Sequence, residues 1–322
     1  MSYSIQHIPI QTLVTGDSLS IHAHTFQGPA LEPRIYLQAN LHGPEIFGSA
    51  LLIKLIDFLK HHPEDLVGSL TIVPQANPVG VQSQIYGYQF GRWNMQNGNN
   101  WNRIFSKDAP QKNNSIEEVL KQTLGELTRN HDIVLDIHTS GAACIPHLFT
   151  HPDDATFFLA LHHELTVLVT EDDYYGAFDE YCRWVAHQEQ RNIHVATWEA
   201  SSHGTIEADA LETQFAHLLA FLRAKNILTH AEEVPMIKIP TKPLSHLRTL
   251  HATEGGYFVW HVHPGAFVHK GETYGHIYSP KTGEIHARLA EQDFLLLIRH
   301  PLQAVASGQE IGEIVVSDFC DE

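Results

Sequence analysis

Short apolar segments rich in β-branched residues alternate with longer segments of helical periodicity until about residue 223. Residues 34–40, RIYLQAN, predict a strand, and they lead into a helical pattern from Pro44 to about His61. Further strands are predicted at residues 69–74, 132–137 and 192–199, and further helices at 115–127 and 206–223. This alternation favours an α/β fold with a mainly parallel or mixed sheet covered by helices on both faces.

The pattern changes near Thr229. Prolines at 235, 240 and 243 indicate a linker, and from about Leu247 short alternating segments are separated by turns that contain glycine. Because 322 residues exceed the usual size of one small domain, we expect two units. The sequence therefore predicts an α/β domain at residues 1–235 and a small all-β module at residues 236–322.

Charge and cysteine content exclude several kinds of partner and compartment. The chain has 20 Lys and Arg against 37 Asp and Glu, so a net charge of -17 disfavours nucleic acid and anionic membrane surfaces. No apolar run approaches the roughly 20 residues needed to cross a bilayer. The three cysteines, Cys144, Cys182 and Cys320, form no CxxC pair and fit a reducing compartment. We expect a cytoplasmic protein.

His42 and Glu45 stand three residues apart at the predicted start of a helix, where their side chains point two ligand atoms to the same side. Gly43 permits a close approach, and Pro44 suits the first helical turn because its missing N–H has no intrahelical partner there. The chain contains 25 histidines, so this pair carries little weight without further context.

His138 supplies that context, because it ends the predicted strand at residues 132–137, where open α/β sheets present functional side chains. Two histidines, one carboxylate and one open position are the set expected of catalytic zinc. Asp136 lies on the same strand face as His138, and two readings stay open for it: a residue that orients His138 or an ordinary carboxylate at the strand end.

Several motifs in order carry a resemblance to a known family. They are His42-Gly43-Pro44-Glu45, Asn77-Pro78-Val79-Gly80, Gly91-Arg92-Trp93-Asn94, Gly98-Asn99-Asn100-Trp101-Asn102-Arg103 and Asp136-Ile137-His138. In order, spacing and residue type this set resembles the succinylglutamate desuccinylase/aspartoacylase family of zinc deacylases, which are relatives of the zinc carboxypeptidases. The likeness covers most of residues 34–315.

The resemblance implies a fold and a set of roles. The fold would be a zinc-carboxypeptidase-like, three-layer domain with a mixed central sheet, followed by a barrel-sandwich-like β module that covers the site. One zinc ion would be bound by His42, Glu45 and His138, and Glu199 would be the general base. The pocket residues are Arg92, Asn102 and Arg103, with Arg92 stabilising the oxyanion. Alternatively, both arginines are solvated loop cations.

The sequence departs from the family pattern directly after Glu199. The family often continues with Leu-Gly or Leu-Arg-Gly, whereas this chain has Ala-Ser-Ser-His-Gly at residues 200–204. The change removes one possible contact to an anionic substrate, so the substrate stays open. His203 is either a compensating donor or an ordinary loop histidine, and His147 either faces the pocket or belongs to the core or rim.

We expect a small-molecule partner and consider three functions. The first is hydrolysis of the amide bond of an N-acyl amino acid or a similar small amide that bears a carboxylate. The second is a metallocarboxypeptidase acting on peptides, which a covering β module disfavours because it narrows the entrance. The third is a zinc-containing binding protein without activity. The sequence leaves the oligomeric state open, a homo-oligomer included.

Overall fold

The computed structural model describes residues 1–108, 115–229, 238–301 and 304–316. The described residues contain five α-helices: α1 Ile46–His61, α2 Pro78–Val81, α3 Ile116–Thr128, α4 Phe178–Gln188 and α5 Ala208–Ala224. The strands of the first two thirds are β1 Ser2–Thr12, β2 Ser18–Gln27, β3 Arg34–Ala39, β4 Ser69–Val73, β5 Gln84–Ile85, β6 Tyr88–Gln89, β7 Ile133–Thr139, β8 Ala143–Cys144, β9 His147–Thr150, β10 Leu165–Leu168 and β11 His194–Ser201. The later strands are β12 Thr241–Pro243, β13 Leu247–His251, β14 Tyr257–Trp260, β15 Phe267–Val268, β16 Thr273–Tyr278, β17 Ile285–Leu289, β18 Phe294–Arg299 and β19 Glu310–Val316.

A nine-stranded mixed sheet organises the larger part of the molecule, with the order β1-β2-β4-β3-β7-β11-β9-β10-β12. The central strands β4, β3, β7 and β11 run parallel, while β9 enters antiparallel to β11. Parallel strands need crossovers, and the helices between them supply these. The expectation of a mixed sheet in an α/β fold is therefore confirmed.

Alternation along the central strands separates two cores. Leu37, Leu135 and Trp198 lie on the face that α1 and α5 cover. Tyr36 and Val134 lie on the opposite face with residues of α3 and α4. Because successive strand residues point to opposite faces, Asp136 and His138 share the second face with Val134. The polar residues at the strand ends therefore lie on the α3 and α4 side of the sheet.

The later strands form two smaller antiparallel sheets. Strands β13, β19, β18 and β15 make one with β8, and β14, β16 and β17 make the other. Strand β8 comes from the earlier part of the chain and pairs with β18, where Cys144 lies opposite Ile298. A cluster of buried apolar residues, including Val167 from β10 and Leu297 from β18, packs at this junction. The second group of strands is thereby held against the edge of the large sheet.

Local prediction located most of the elements that flank the sheet centre. The helix expected after residue 115 begins as predicted, because Oγ of Ser115 accepts a hydrogen bond from the Glu118 backbone N–H. The helix expected from Pro44 starts two residues later, at Ile46, so Pro44 lies in the preceding turn. Residues 155–170 contain a short 3-10 turn at Leu159–Leu161 and strand β10.

The predicted boundary between residues 235 and 236 lies outside the described residues, as does Cys320. The first strand after that boundary, β12, pairs with β10 in the large sheet. Within the described ranges, no helix is both long enough and apolar enough to span a membrane.

Candidate metal centre and its cavity

His42, Glu45 and His138 converge at the carboxyl ends of β3 and β7. Each offers a ligand atom, these atoms all lie within 4.8 Å of one another, and the three residues are buried. Nδ1 of His42 lies 2.8 Å from Oε1 of Glu45, and Nδ1 of His138 lies 2.7 Å from Oε2. The structure thus brings together the three residues that the sequence predicted as metal ligands, although 93 positions separate Glu45 from His138.

The other ring nitrogen of each histidine has its own acceptor. Nε2–H of His42 donates to Oδ1 of Asn100 over 2.8 Å, and Nε2–H of His138 donates to Oδ2 of Asp136 over 2.8 Å. Such bonds fix the tautomer and leave the Nδ1 lone pairs for an ion. Two imidazole nitrogens, with both rings oriented by these hydrogen bonds, and a carboxylate fit a divalent transition metal.

Electrostatic coupling within the cluster is strong. Burial lowers the pKa of His42. Burial would also lower the pKa of His138, but Asp136 and Glu45 outweigh it and raise that pKa well above its usual range. Burial would raise the pKa of Glu45, yet the two histidines hold it well below the usual value. Glu45 is therefore ionised throughout the working pH range.

Three glycines position the loop that carries Arg92. A Cβ on Gly43 would lie 2.3 Å from the Gly80 carbonyl oxygen, and a Cβ on Gly91 would lie 1.8 Å from the same oxygen. The Gly43 N–H also donates to the Gly91 carbonyl over 2.8 Å. Backbones can approach this closely only where side chains are absent. This contact brings Arg92 to the metal-ligand cluster.

A cavity of about 810 Å³ opens beside the cluster. His42 and His138 line it together with the predicted pocket residues Arg92, Asn102 and Arg103. The opposite wall comes from β13, β18 and β19, which contribute residues such as Arg248, Ile298 and Glu313. The later strands therefore form part of the cavity wall.

The predicted pocket residues have different surroundings. Nη1 of Arg92 donates to Oε1 of Glu45 over 3.0 Å, while its side chain is 43% exposed, so it bridges the cluster and the open cavity. Asn102 is buried, and its Oδ1 accepts from the Phe178 N–H over 2.8 Å, which ties the loop to the start of α4. Nη1 of Arg103 donates to the Asn102 carbonyl.

Glu199 lies directly opposite His138 in the pairing of β11 with β7, and it lines the cavity. Burial raises the pKa of Glu199 to about 7. Its Oε2 atom has no hydrogen-bond partner among the described residues. A carboxylate that has this pKa and one oxygen without a hydrogen bond, and that lies beside the cluster of candidate metal ligands, is suited to accept and release a proton near neutral pH.

The two histidines of uncertain role both line the cavity. Nδ1 of His203 lies 2.7 Å from Oγ1 of Thr139, and burial lowers the pKa of His203 to about 4. His147 is fully buried on β9, opposite Glu199 on β11.

Sequence reasoning missed the residues that hold the ligands. Asn100 was part of a recognised motif but had no assigned role, and Gln38 donates through Nε2 to Oδ1 of Asp136 over 3.0 Å. Asn40 adopts a positive φ of 61° and its amide donates to the carbonyls of His42 and Gly43. The signal for Asn40 was present, because asparagine tolerates this backbone region and precedes the turn.

Comparison with known proteins agrees with the motif resemblance. Residues 32–190 match the model of the succinylglutamate desuccinylase/aspartoacylase catalytic domain. A protein of that family from Shewanella amazonensis has a similar structure, with a TM-score of 0.87 and 22% identity over 97% of this chain and 98% of the other. One from Shewanella frigidimarina gives 0.83 and 22% over 98% and 97%.

The product-bound ectoine utilization protein EutE (DoeB) from Ruegeria pomeroyi is also similar, with a TM-score of 0.77 and 19% identity over 98% of this chain and 95% of that one. At these identities the solved structures establish a shared fold. No curated protein matches the chain. The predicted resemblance is confirmed by the domain match together with these structures.

Proposed function

Because the chain belongs to the succinylglutamate desuccinylase/aspartoacylase family through its catalytic domain at residues 32–190, we propose that it is a zinc-dependent enzyme. Its reaction is hydrolysis of the amide bond of an N-acyl amino acid, or of a similar small amide that bears a carboxylate. The observation that carries the proposal is the convergence of His42, Glu45 and His138 beside Glu199 in one cavity.

The metal assignment rests on the donor set. Two Nδ1 atoms and a carboxylate, beside an open cavity that both histidines line, are the donor set that would hold a catalytic zinc ion. When bound, a divalent ion there supplies Lewis acidity that activates water and polarises the acyl carbonyl. Asn100 and Asp136 hold the two imidazoles in the ligating tautomer.

The remaining steps belong to the protein's own side chains. Glu199 accepts a proton from the attacking water at a carboxylate oxygen and delivers it to the leaving amine nitrogen, which its pKa of about 7 permits in both directions. Arg92 places guanidinium N–H groups beside the reacting carbonyl and stabilises the developing oxyanion. Asn102 and Arg103 orient the substrate, with Arg103 binding its carboxylate as a planar fork.

We extend the proposal to domain organisation. Residues 1–235 form a carboxypeptidase-like catalytic domain and residues 236–322 form a β module over its entrance, with the first strand of the module, β12, extending the large sheet. The support is that β13, β18 and β19 contribute a wall of the cavity. A wall at this place leaves less room for a long peptide, which favours small amides over the carboxypeptidase alternative. Cys144 and Cys182 are free thiols, which fits our proposal of a cytoplasmic enzyme.

The deciding experiment combines metal analysis of the purified protein with a turnover screen of N-acetyl, N-succinyl and N-formyl amino acids and of short peptides. We expect one equivalent of zinc and turnover of at least one acyl amino acid that a chelator abolishes and zinc restores. Turnover of peptides alone would favour the carboxypeptidase. Metal binding without turnover of any amide would favour a binding protein without activity.

A further inference from the structure

Three buried polar atoms on the floor of the cavity have no hydrogen-bond partner in the described part of the chain. They are Nε2 of His147, Oγ1 of Thr197 and Oε2 of Glu199. The Glu199 oxygen has a place in the proposed reaction, but the other two atoms do not. Buried polar groups that lack partners are uncommon in native proteins and call for an explanation.

The sheet register places these residues relative to the metal centre. Glu199 on β11 lies opposite His138 on one side and His147 on the other, so the three residues form a row across adjacent strands. Thr197 precedes Glu199 by two positions and points to the same face. Two interstrand spacings separate His138 from His147, which is about 10 Å. His147 therefore lies within reach of the side chain of a substrate whose amide bond is at the metal centre.

The chemistry of His147 determines what can bind there. Its Nδ1–H donates to the Ile145 carbonyl over 2.9 Å, and burial lowers its pKa to about 4. At neutral pH the ring is uncharged, and Nε2 presents a lone pair. A bound group must therefore donate a hydrogen bond to it. A carboxylate cannot do so, which makes acidic side chains poor ligands for this place.

The charge of the lining favours a cationic donor. Six carboxylate residues line the cavity against three arginines, and one of these arginines, Arg92, already pairs with Glu45. The pairing of β13 with β19 shifts register between Leu250 and His251, which leaves one extra residue on β19. Because of this bulge, Glu310 and Glu313 both line the cavity although they are three positions apart. No hydrogen bond or ion pair engages either carboxylate within the described ranges. Phe149, whose ring centroid lies 5.4 Å from that of His147, adds apolar surface there, which suits an aliphatic stem.

We propose that Nε2 of His147 and Oγ1 of Thr197 form a subsite that accepts hydrogen bonds from a protonated primary amine on the side chain of the substrate's amino-acid half. This inference rests on the proposed deacylase function and specifies its substrate class as N-acyl derivatives of basic amino acids. Side chains of the length of ornithine or lysine cover the separation between the reacting amide and His147.

The test compares matched substrates on the zinc-loaded protein. Nα-acetyl-ornithine and Nα-acetyl-norleucine differ only by an ammonium in place of a methyl group, and Nα-acetyl-glutamate supplies an anionic side chain. We expect kcat/KM for the ornithine derivative to exceed that for the norleucine derivative at least about tenfold, because the norleucine derivative leaves both buried acceptors unpaired. Equal values for the two would overturn the proposal.

Variants of Thr197 test whether the preference for the ornithine derivative arises at the proposed subsite. Thr197→Val removes the hydroxyl without changing the shape, and we expect it to lower the ornithine-to-norleucine ratio of kcat/KM several-fold. Thr197→Ser restores the ratio. Thr25→Val, on β2 away from the cavity, is the control and leaves the ratio unchanged. A ratio that Thr197→Val does not alter would exclude Thr197 from the subsite.

Calorimetric binding of free L-ornithine and L-norleucine separates this inference from the proposed reaction. Turnover of acyl amino acids with no preference for the amine overturns the subsite and leaves the proposed function intact. If no acyl amino acid is turned over, the proposed function fails, and the calorimetric binding of the free amino acids tests the subsite instead. Ornithine that binds more tightly than norleucine, and more weakly to Thr197→Val, supports the subsite. Equal binding of the two amino acids, or no binding of either, overturns the subsite.

Discussion

Asp136 and His138 lie on the same face of β7, and Nε2–H of His138 donates a 2.8 Å hydrogen bond to Oδ2 of Asp136. The other carboxylate oxygen of Asp136 accepts from Nε2 of Gln38. One buried carboxylate therefore satisfies a donor from each of two adjacent strands. The sequence left the role of Asp136 open between orientation of His138 and an ordinary strand end, and this geometry supports the first.

Replacement of Asp136 by Asn should weaken metal binding. Asn has one acceptor oxygen for two N–H donors, so either His138 or Gln38 loses its partner and the imidazole is held less firmly in its ligating tautomer. We expect zinc affinity to fall about 10- to 100-fold. Competition against a chelator measures it, with Asp57→Asn on the exposed face of α1 as the control. Unchanged affinity would show that Asp136 does not support the ligand.

Replacement of Glu199 by Gln should separate metal binding from turnover. The amide cannot accept and return a proton, so kcat should fall about 10²- to 10⁴-fold. Bound zinc should stay at one equivalent, since Glu199 is not one of the three clustered ligands. Metal analysis and steady-state kinetics on the same preparation check both parts. Turnover equal to that of the wild type would remove Glu199 from the mechanism.

Replacement of Gly91 by Ala should disturb Arg92 without touching a ligand. The new Cβ would overlap the Gly80 carbonyl oxygen at 1.8 Å, so the two loops must move apart. We expect a loss of about 1–3 kcal/mol in the free energy of unfolding, together with a lower kcat. Denaturant unfolding and kinetics measure the two effects.

Gly255→Ala is the matched control, because a Cβ there meets only the Val305 carbonyl oxygen at 3.6 Å, an ordinary contact. Equal stability of the two variants would mean that the contact between Gly80 and Gly91 is not tight in solution.

His131 should make stability depend on pH. Burial lowers the pKa of His131 to about 4, below the value of 6.5 for a histidine in an unfolded chain. As the pH falls, His131 is therefore protonated in the unfolded chain before it is protonated in the folded protein. The stability that this residue provides is complete above pH 6.5 and is lost progressively toward pH 4. From pH 7 to pH 5 the loss amounts to about 2 kcal/mol from this group.

Denaturant unfolding at the two pH values tests the effect of His131. His131→Gln should lose less stability between pH 7 and pH 5 than the wild type, since glutamine does not titrate. His62→Gln, at the exposed end of α1, controls for removal of a histidine. The same loss of stability in His131→Gln and the wild type would contradict the assignment.

The sequence alone determined the features that depend on local chemistry. Residues 34–40 and 132–137 predicted the two strands that carry the ligand segments, and the Ser115 cap predicted the start of α3. The ligand triad was predicted as well, because histidine and carboxylate spacing at strand ends is itself a local pattern. Its convergence then followed from the parallel pairing of β3 with β7.

Only the tertiary structure decided which side chains surround the ligands. Asn100 and Gln38 act through partners distant in the chain, and His147 enters the cavity because β9 inserts antiparallel beside β11. Strand order and register are set by packing between distant segments. The hydrophobic periodicity of one segment does not reveal which other strands will pair with it. For that reason the sequence predicted the candidate metal ligands, whereas only the folded chain specified which residues form the cavity walls.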